Sequence, residues 1–239
     1  MGLLDLPAPV LSAIDGWLAG FLPVVVRLVF WAAVTALLGM ELYRLLSPQE
    51  RIAGTRLAFE QSRRRVAEFE GEFEDAWPHI RAMFSSALRR LALAFPATIV
   101  AALPFLVAIV WLDTRYGNTY PPLDIPAAIT VPGEFEGRWV AVDGGVPRAA
   151  IADRSGVPVA EVPVAQPVPV IHKRRWWNAL IGNPAGYLPE ELPFDRVDIA
   201  LPRRQVLSLG PDWLRDWEVV FLAASILFAV AFKTVRRIV

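Results

Sequence analysis

Arg27 is the residue whose setting constrains chemistry most in this 239-residue chain. It stands in Leu22-Pro-Val-Val-Val-Arg27-Leu-Val-Phe-Trp31, an apolar run suited to a bilayer, where an unpaired cation costs at least ~2.5–3.5 kcal/mol. Its guanidinium must therefore face protein, water or a partner, where it can attract and hydrate a polar segment. Counted from Trp17 at ~1.5 Å per residue, it lies about 15 Å deep, near the midplane. A span displaced to about Leu28–Leu45 would instead let Arg27 snorkel to the outer interface, but would draw Glu41 and Arg44 into the membrane.

Two further groups carry recognition chemistry. The run His172-Lys173-Arg174-Arg175-Trp176-Trp177 fits a contact with anionic headgroups or a partner protein, or else a basic turn with its tryptophans packed inside a domain. Ile52, Phe59, Val66 and Phe73 recur at intervals of seven, with Phe69 and Ala76 at the complementary spacing. They form an apolar, coiled-coil-like seam on a charged helix, and with Met83 they are the candidate partner or substrate surface. The charged face, Arg63, Arg64 and Arg65 against Glu68, Glu70, Glu72 and Glu74, is a solvated surface or an RNA or lipid contact.

Catalytic patterns are missing from the sequence. It has no Walker loop, dinucleotide-binding glycine fingerprint, G-x-S-x-G elbow or metal-spaced cluster. Cysteine is absent, and the two histidines, His79 and His172, are far apart. We expect no catalytic, cofactor-binding or metal-ligating residues, and no enzyme. The zero net charge gives no global field, so DNA is not an expected partner.

The elements that must position these groups follow from how apolar residues are distributed. The chain is 55% hydrophobic with a mean hydropathy of +0.41, yet 20% charged, so its apolar residues must lie in blocks. Three stretches approach the roughly 20 residues needed to cross ~30 Å of hydrocarbon: 17–42, 91–112 and 217–235. Trp217, Lys233, Arg236 and Arg237 read as anchors of the third. Residues 1–16 hold no Lys or Arg, whereas 43–90 hold nine arginines. The positive-inside rule therefore sets the N-terminus outside and the C-terminal tail, 236–239, in the cytoplasm.

The expected fold class is a mainly α membrane protein: three transmembrane helices, a cytoplasmic helical hairpin over 43–90 and a small extracytoplasmic β-rich domain over 113–216. The outer interfacial segment, 1–16, lacks a basic n-region and is not read as a cleaved signal peptide. Its Leu3, Leu4, Leu6, Val10, Leu11 and Ile14 suit a short helix lying flat on the outer surface, or a simple leader. In the hairpin, Ser47-Pro-Gln-Glu50 caps a new helix, and Trp77-Pro78 should end or kink it. Ile80, Phe84, Leu88 and Leu91 then lead at helical spacing into the second span, which Pro96 and Pro104 should bend. The outer domain holds 14 of the 21 prolines and the β-branched runs 128–131, 139–142, 158–162 and 197–201, with a turn at Asp143-Gly144-Gly145.

A span with an embedded arginine, a charged cytoplasmic hairpin, a proline-containing second span and a later third span resembles the YidC/Oxa insertase superfamily. The resemblance covers 17–112 and 217–239, and is greatest to reduced three-span members such as archaeal YidC-like proteins and the third subunit of the endoplasmic-reticulum membrane protein complex. It implies a hydrophilic groove open to cytoplasm and lipid, with Arg27 receiving the polar part of an incoming segment. It also implies a hairpin that engages the substrate or the ribosome. The expected function is insertion, folding or chaperoning of membrane proteins through a polar groove around Arg27. The alternative is a non-catalytic accessory subunit that docks through the outer β domain and the hairpin; an ion or lipid pathway around Arg27 is a third option. Expected partners are membrane lipids, client or subunit membrane proteins and the ribosome, without a cofactor. An Ala-, Arg- and Pro-rich, cysteine-free chain suits a bacterial cytoplasmic (inner) membrane.

Overall fold

A glycine and two prolines decide where the first long helix begins. In the computed structural model, which describes residues 2–68 and 73–236, Pro7 occupies the N-cap of α1 (Ala8–Leu18), where a missing N–H leaves no intrahelical bond unmade. After Leu18 the chain turns through Gly20, whose N–H donates to Trp17 O at 3.1 Å, and Leu22, whose N–H donates to Leu18 O at 2.9 Å. Pro23 has no N–H to extend α1, and α2 (Val24–Leu46) starts immediately after it. The single helix expected from residue 17 is thus two helices. Arg27 falls in the first turn of α2, with its N–H donating to Pro23 O at 3.2 Å, and not ten residues into a span.

The hairpin also divides differently from the reading above. α3 (Gln49–Ala67) ends as Glu68 N–H donates to Arg64 O at 2.9 Å, and α4 is described from Phe73. Of the heptad positions, Ile52, Phe59 and Val66 therefore lie on α3 and Phe73 on α4. Trp77-Pro78 does not end the helix: α4 runs through Pro78, Pro96 and Pro104 as 44 residues, Phe73–Tyr116. Pro78 is its sixth residue, so only one bond near the start is lost. In an apolar setting the remaining backbone groups have no better partners than each other.

Among the described residues, three helical stretches are long and apolar enough to cross a membrane: Val24–Leu46, Ile80–Tyr116 and, in α6 (Trp217–Arg236), the whole helix, with mean hydropathies of 1.8, 2.4 and 2.0 over their most apolar parts. The chain divides into two compact units, Met1–Val29 with Leu106–Phe221, and Phe30–Phe105 with Leu222–Val239.

The first unit carries a six-stranded antiparallel sheet in the order β4-β3-β2-β1-β6-β5. Its strands are β1 (Ala128–Thr130), β2 (Phe135–Val140), β3 (Arg148–Asp153), β4 (Pro158–Pro163), β5 (Val170–His172) and β6 (Arg196–Ile199). The expected β-rich character is present. All four expected runs contain strand, and Gly144, at φ +63°, makes the expected turn between β2 and β3. β3 and β5 were not anticipated. Arg148-Ala-Ala-Ile-Ala-Asp is too alanine-rich to read as a strand, and β5 has only three residues. Alternation buries Ala149 and Ile151 of β3 and Val197 and Ile199 of β6, around a core that includes Trp139, Val164, Ile171 and Phe194. Prolines bound the edge strand β4 at both ends, which discourages further pairing.

In the second unit, a side chain at Gly39 of α2 would stand only 3.0 Å from the Ala101 carbonyl of α4, so the two backbones approach where there is no Cβ. Nearer the end of α2, Glu41 pairs with Arg44 at 2.9 Å and with Arg236 of α6 at 2.9 Å.

Candidate functional site

Asp15 of α1 is completely buried, and its carboxylate gathers three donors. Arg27 Nη1 donates to Oδ2 at 2.8 Å, Tyr116 Oη donates to Oδ1 at 2.7 Å, and Arg115 Nε approaches Oδ2 at 3.3 Å. Arg27 Nη1 also reaches the Asp15 carbonyl at 3.3 Å. The Arg27 and Arg204 guanidinium carbons lie 5.6 and 5.4 Å from the centre of the Tyr116 ring. A buried carboxylate with two arginines and a phenol is well compensated, and the weakly screened attraction offsets the cost of taking the charges out of water. The cluster ties together α1, the first turn of α2 and the last turn of α4. Trp111 Nε1, donating to Ser12 Oγ at 2.9 Å, adds a second tie between α1 and α4.

This arrangement changes the environment expected for Arg27. Its charge is met by Asp15 inside the first unit, and it does not line the cavity described below. Beside the cluster, a pocket of ≈ 470 Å³ is lined by Asp5, Ser12, Trp111, Arg115, Gln166 and Tyr187, among others. Arg115 keeps 45% of its side chain exposed there, leaving guanidinium surface for a polar group.

The basic–aromatic run separates into inward and outward members. Lys173 is buried, with Nζ donating to Leu192 O at 2.6 Å. Arg174 and Arg175 are exposed, and Arg175 donates to Asp195 Oδ1 at 2.9 Å. Trp176 is 88% exposed, which excludes a tryptophan packed in the domain, and Trp177 is exposed while meeting His172 edge-on at 5.2 Å. Burial pushes the His172 imidazole below its ordinary pKa, with Arg196 acting in the same direction and Asp198 against it.

Of the seam residues, Ile52 is buried and Phe59, Val66 and Met83 are half-buried. Phe69 and the side chain of Phe73 lie outside the described residues, as do the side chains of Arg65, Glu70, Glu72, Glu74 and Ala76. Phe84, Leu88 and Leu91 are exposed, and Trp217, read as an interfacial anchor, is buried.

Within the second unit, the three apolar helices line an open cavity of ≈ 540 Å³. α2 contributes Thr35, Ala36, Gly39, Met40 and Tyr43; α4 contributes Thr98, Ala101, Ala102 and Phe105; α6 contributes Leu222, Ser225, Ile226, Ala229 and Lys233. The α6 stripe extends eleven residues, about 16 Å of helix, and reaches Lys233 near its C-terminal end. Small residues leave the space, and Ser225 Oγ is buried in its wall without a hydrogen-bond partner.

In comparisons with protein-family models, curated proteins and solved structures, none matches this chain.

The geometry of the chain itself must therefore carry the functional reading. Among the described residues no three His, Asp or Glu side chains converge in a manner suited to a metal ion. Sequence reasoning missed Asp15, Tyr116 and the cavity. A signal for the first was present: one carboxylate stands twelve residues before the embedded arginine, with Gly20 and Pro23 between them to reverse the chain. The cavity had a weaker signal, the small residues Ala36, Gly39, Ala101, Ala102 and Ala229 within three separate apolar stretches.

Proposed function

We propose that the chain is an integral membrane protein, a non-catalytic subunit that seats a transmembrane segment of another membrane protein in the cavity between its three apolar helices. The observation that carries this reading is the cavity wall. Gly39, Ala101, Ala102 and Ala229 offer the small-residue surface on which transmembrane helices pack closely, and Ser225 lines the same wall. A water-filled groove around Arg27 is not needed, because Arg27 is already paired with Asp15. The segment that carries the sheet, residues 113–216 and almost half the chain, adds a surface for a fixed partner. Charge distribution supports an outside N-terminus and a cytoplasmic C-terminus, and the Ala-, Arg- and Pro-rich, cysteine-free composition suits a bacterial inner membrane.

Photocrosslinkers replacing Ala36 and Ser225 test the proposal in native membranes, with Leu227, an exposed residue of α6 outside the cavity wall, as the comparison. The expected result is one protein adduct of fixed stoichiometry from the cavity positions, absent at Leu227 and suppressed by Gly39→Leu. Lipid adducts alone would refute a protein occupant.

A second reading, transient passage of client segments as in an insertase, is favoured by Lys233 and the hydroxyls of Thr35, Thr98 and Ser225 along one cavity. It predicts many adducts from the same positions, dependent on continuing translation.

A further inference from the structure

The N-terminal segment displays its apolar side chains and hides its charges. Residues 1–23 carry no Lys or Arg, and their ionisable side chains are Asp5 and Asp15. Both point into the protein: Asp5 Oδ2 accepts from the backbone N–H groups of Gly2 at 2.8 Å and Gly182 at 2.9 Å, and Asp15 holds Arg27. On α1 the side facing the protein presents Ser12 and Asp15. The opposite side presents Val10, Ile14 and Trp17 at helical spacing, all exposed, and Leu3, Leu6 and Phe21 are exposed before and after it. A water-facing helix would reverse this pattern.

A second segment joins the first. Leu4 N–H donates to Leu180 O at 3.0 Å, and the Asp5–Gly182 bond lies beside it, so the N-terminus is clipped to the loop that follows the 3₁₀ turn Trp176–Ala179. That loop and turn expose Trp176, Trp177, Leu180 and Ile181, with Arg174 and Arg175 at their edge. Apolar, aromatic and basic residues from two distant parts of the chain thus share one region of the first unit.

We propose that these residues form a single platform seated in the outer phospholipid leaflet. Leu3, Leu6, Val10, Ile14, Leu180 and Ile181 enter the boundary between headgroups and acyl chains, Trp17 and Trp176 lie at the interface, and Arg174 meets lipid phosphate. Chain continuity selects a leaflet over a protein partner. α2 begins three residues after Phe21, a separation that an extended chain spans in at most ~11 Å, so a membrane-crossing α2 holds the platform at headgroup level. The inference rests on α2 crossing the membrane and not on what fills the helix cavity.

Because the chain lacks cysteine, single-cysteine variants allow unambiguous spin labelling of the full protein in phosphatidylethanolamine/phosphatidylglycerol vesicles. Collision with oxygen and with a water-soluble nickel chelate would be measured at Val10, Ile14, Arg174 and Leu180, with Leu38 of α2 as the span control and Val146 as the aqueous control. Labels at 10, 14 and 180 are expected a few ångströms below the phosphate plane, and a label at 174 close to it. Nickel accessibility at 10, 14 and 180 equal to that at 146, with Leu38 still in lipid, would overturn the platform and leave the span intact. Shielding of these labels from both reagents would show a protein contact and also overturn it. A water-accessible Leu38 would remove the span, and the platform with it.

Discussion

Asp15 and Arg27 meet at 2.8 Å, with 0% and 8% of their side chains exposed, across the turn that separates α1 from α2. Asp15→Asn leaves the buried Arg27 without a counter-ion, which costs about 3–5 kcal/mol. Arg27→Met leaves Asp15 with Arg115 at 3.3 Å and should cost less, and both losses should be seen in unfolding titrations in detergent. The double variant should lose much less than the sum, because no buried lone charge remains and Arg115 is 45% exposed, and strict additivity would show that the two side chains are not energetically coupled.

Tyr116→Phe tests the other carboxylate oxygen. The hydroxyl donates to Asp15 Oδ1 at 2.7 Å, and a hydrogen bond to a charged group contributes about 1.5–3 kcal/mol. The ring remains for the Arg27 and Arg204 guanidiniums, so the loss should stay in that range, and it should shrink when Asp15 is already Asn.

These residues also show what could be read in advance. The three apolar stretches, the β-branched runs and the DGG turn were legible because hydrophobic blocks, period-two patterns and glycine conformations are local properties. The start of α2 was less so: the apolar run from Trp17 to Met40 looks uninterrupted by hydropathy, and only Gly20 and Pro23 mark the break. The Asp15 cluster was not legible, because Arg115 and Tyr116 reach it from a hundred residues away. Composition recorded Asp15 merely as a residue that is not basic. Arg27 stood out in an apolar run, but its counter-charge depended on the chain reversing at Gly20–Pro23.

Gly39 sets the approach of α2 to α4 and one wall of the helix cavity. Gly39→Ala places a methyl 3.0 Å from Ala101 O, a contact that a small helix shift relieves, so its effect should be slight. Gly39→Leu cannot be absorbed so easily. Overpacking of this kind costs about 1–3 kcal/mol, and the added side chain should also exclude any occupant of the cavity. Unfolding and crosslinking measured on both variants separate loss of binding from loss of stability: Gly39→Ala should retain most of each, and Gly39→Leu should lose crosslinking while still folded.

The sheet domain should weaken in mild acid through His172. Its imidazole, half-buried against Trp177, is held below the ordinary pKa of about 6.5, so the unfolded chain binds this proton more readily than the folded one. The sign follows directly: the favourable contribution is fully present above about pH 6.5 and is lost as pH falls through the lowered folded value. His172→Phe keeps an aromatic edge for Trp177 but removes the titration, so its stability should be flatter between pH 8 and 5 in thermal unfolding. Asp153 titrates elsewhere. Hydrogen bonds from the Ser155 hydroxyl and from the backbone N–H groups of Ser155 and Val157 hold its carboxyl below the usual range, so its effect appears only below about pH 4. An unchanged slope between pH 8 and 5 in His172→Phe would therefore assign the acid sensitivity to some group other than His172, and Asp153 would not be that group.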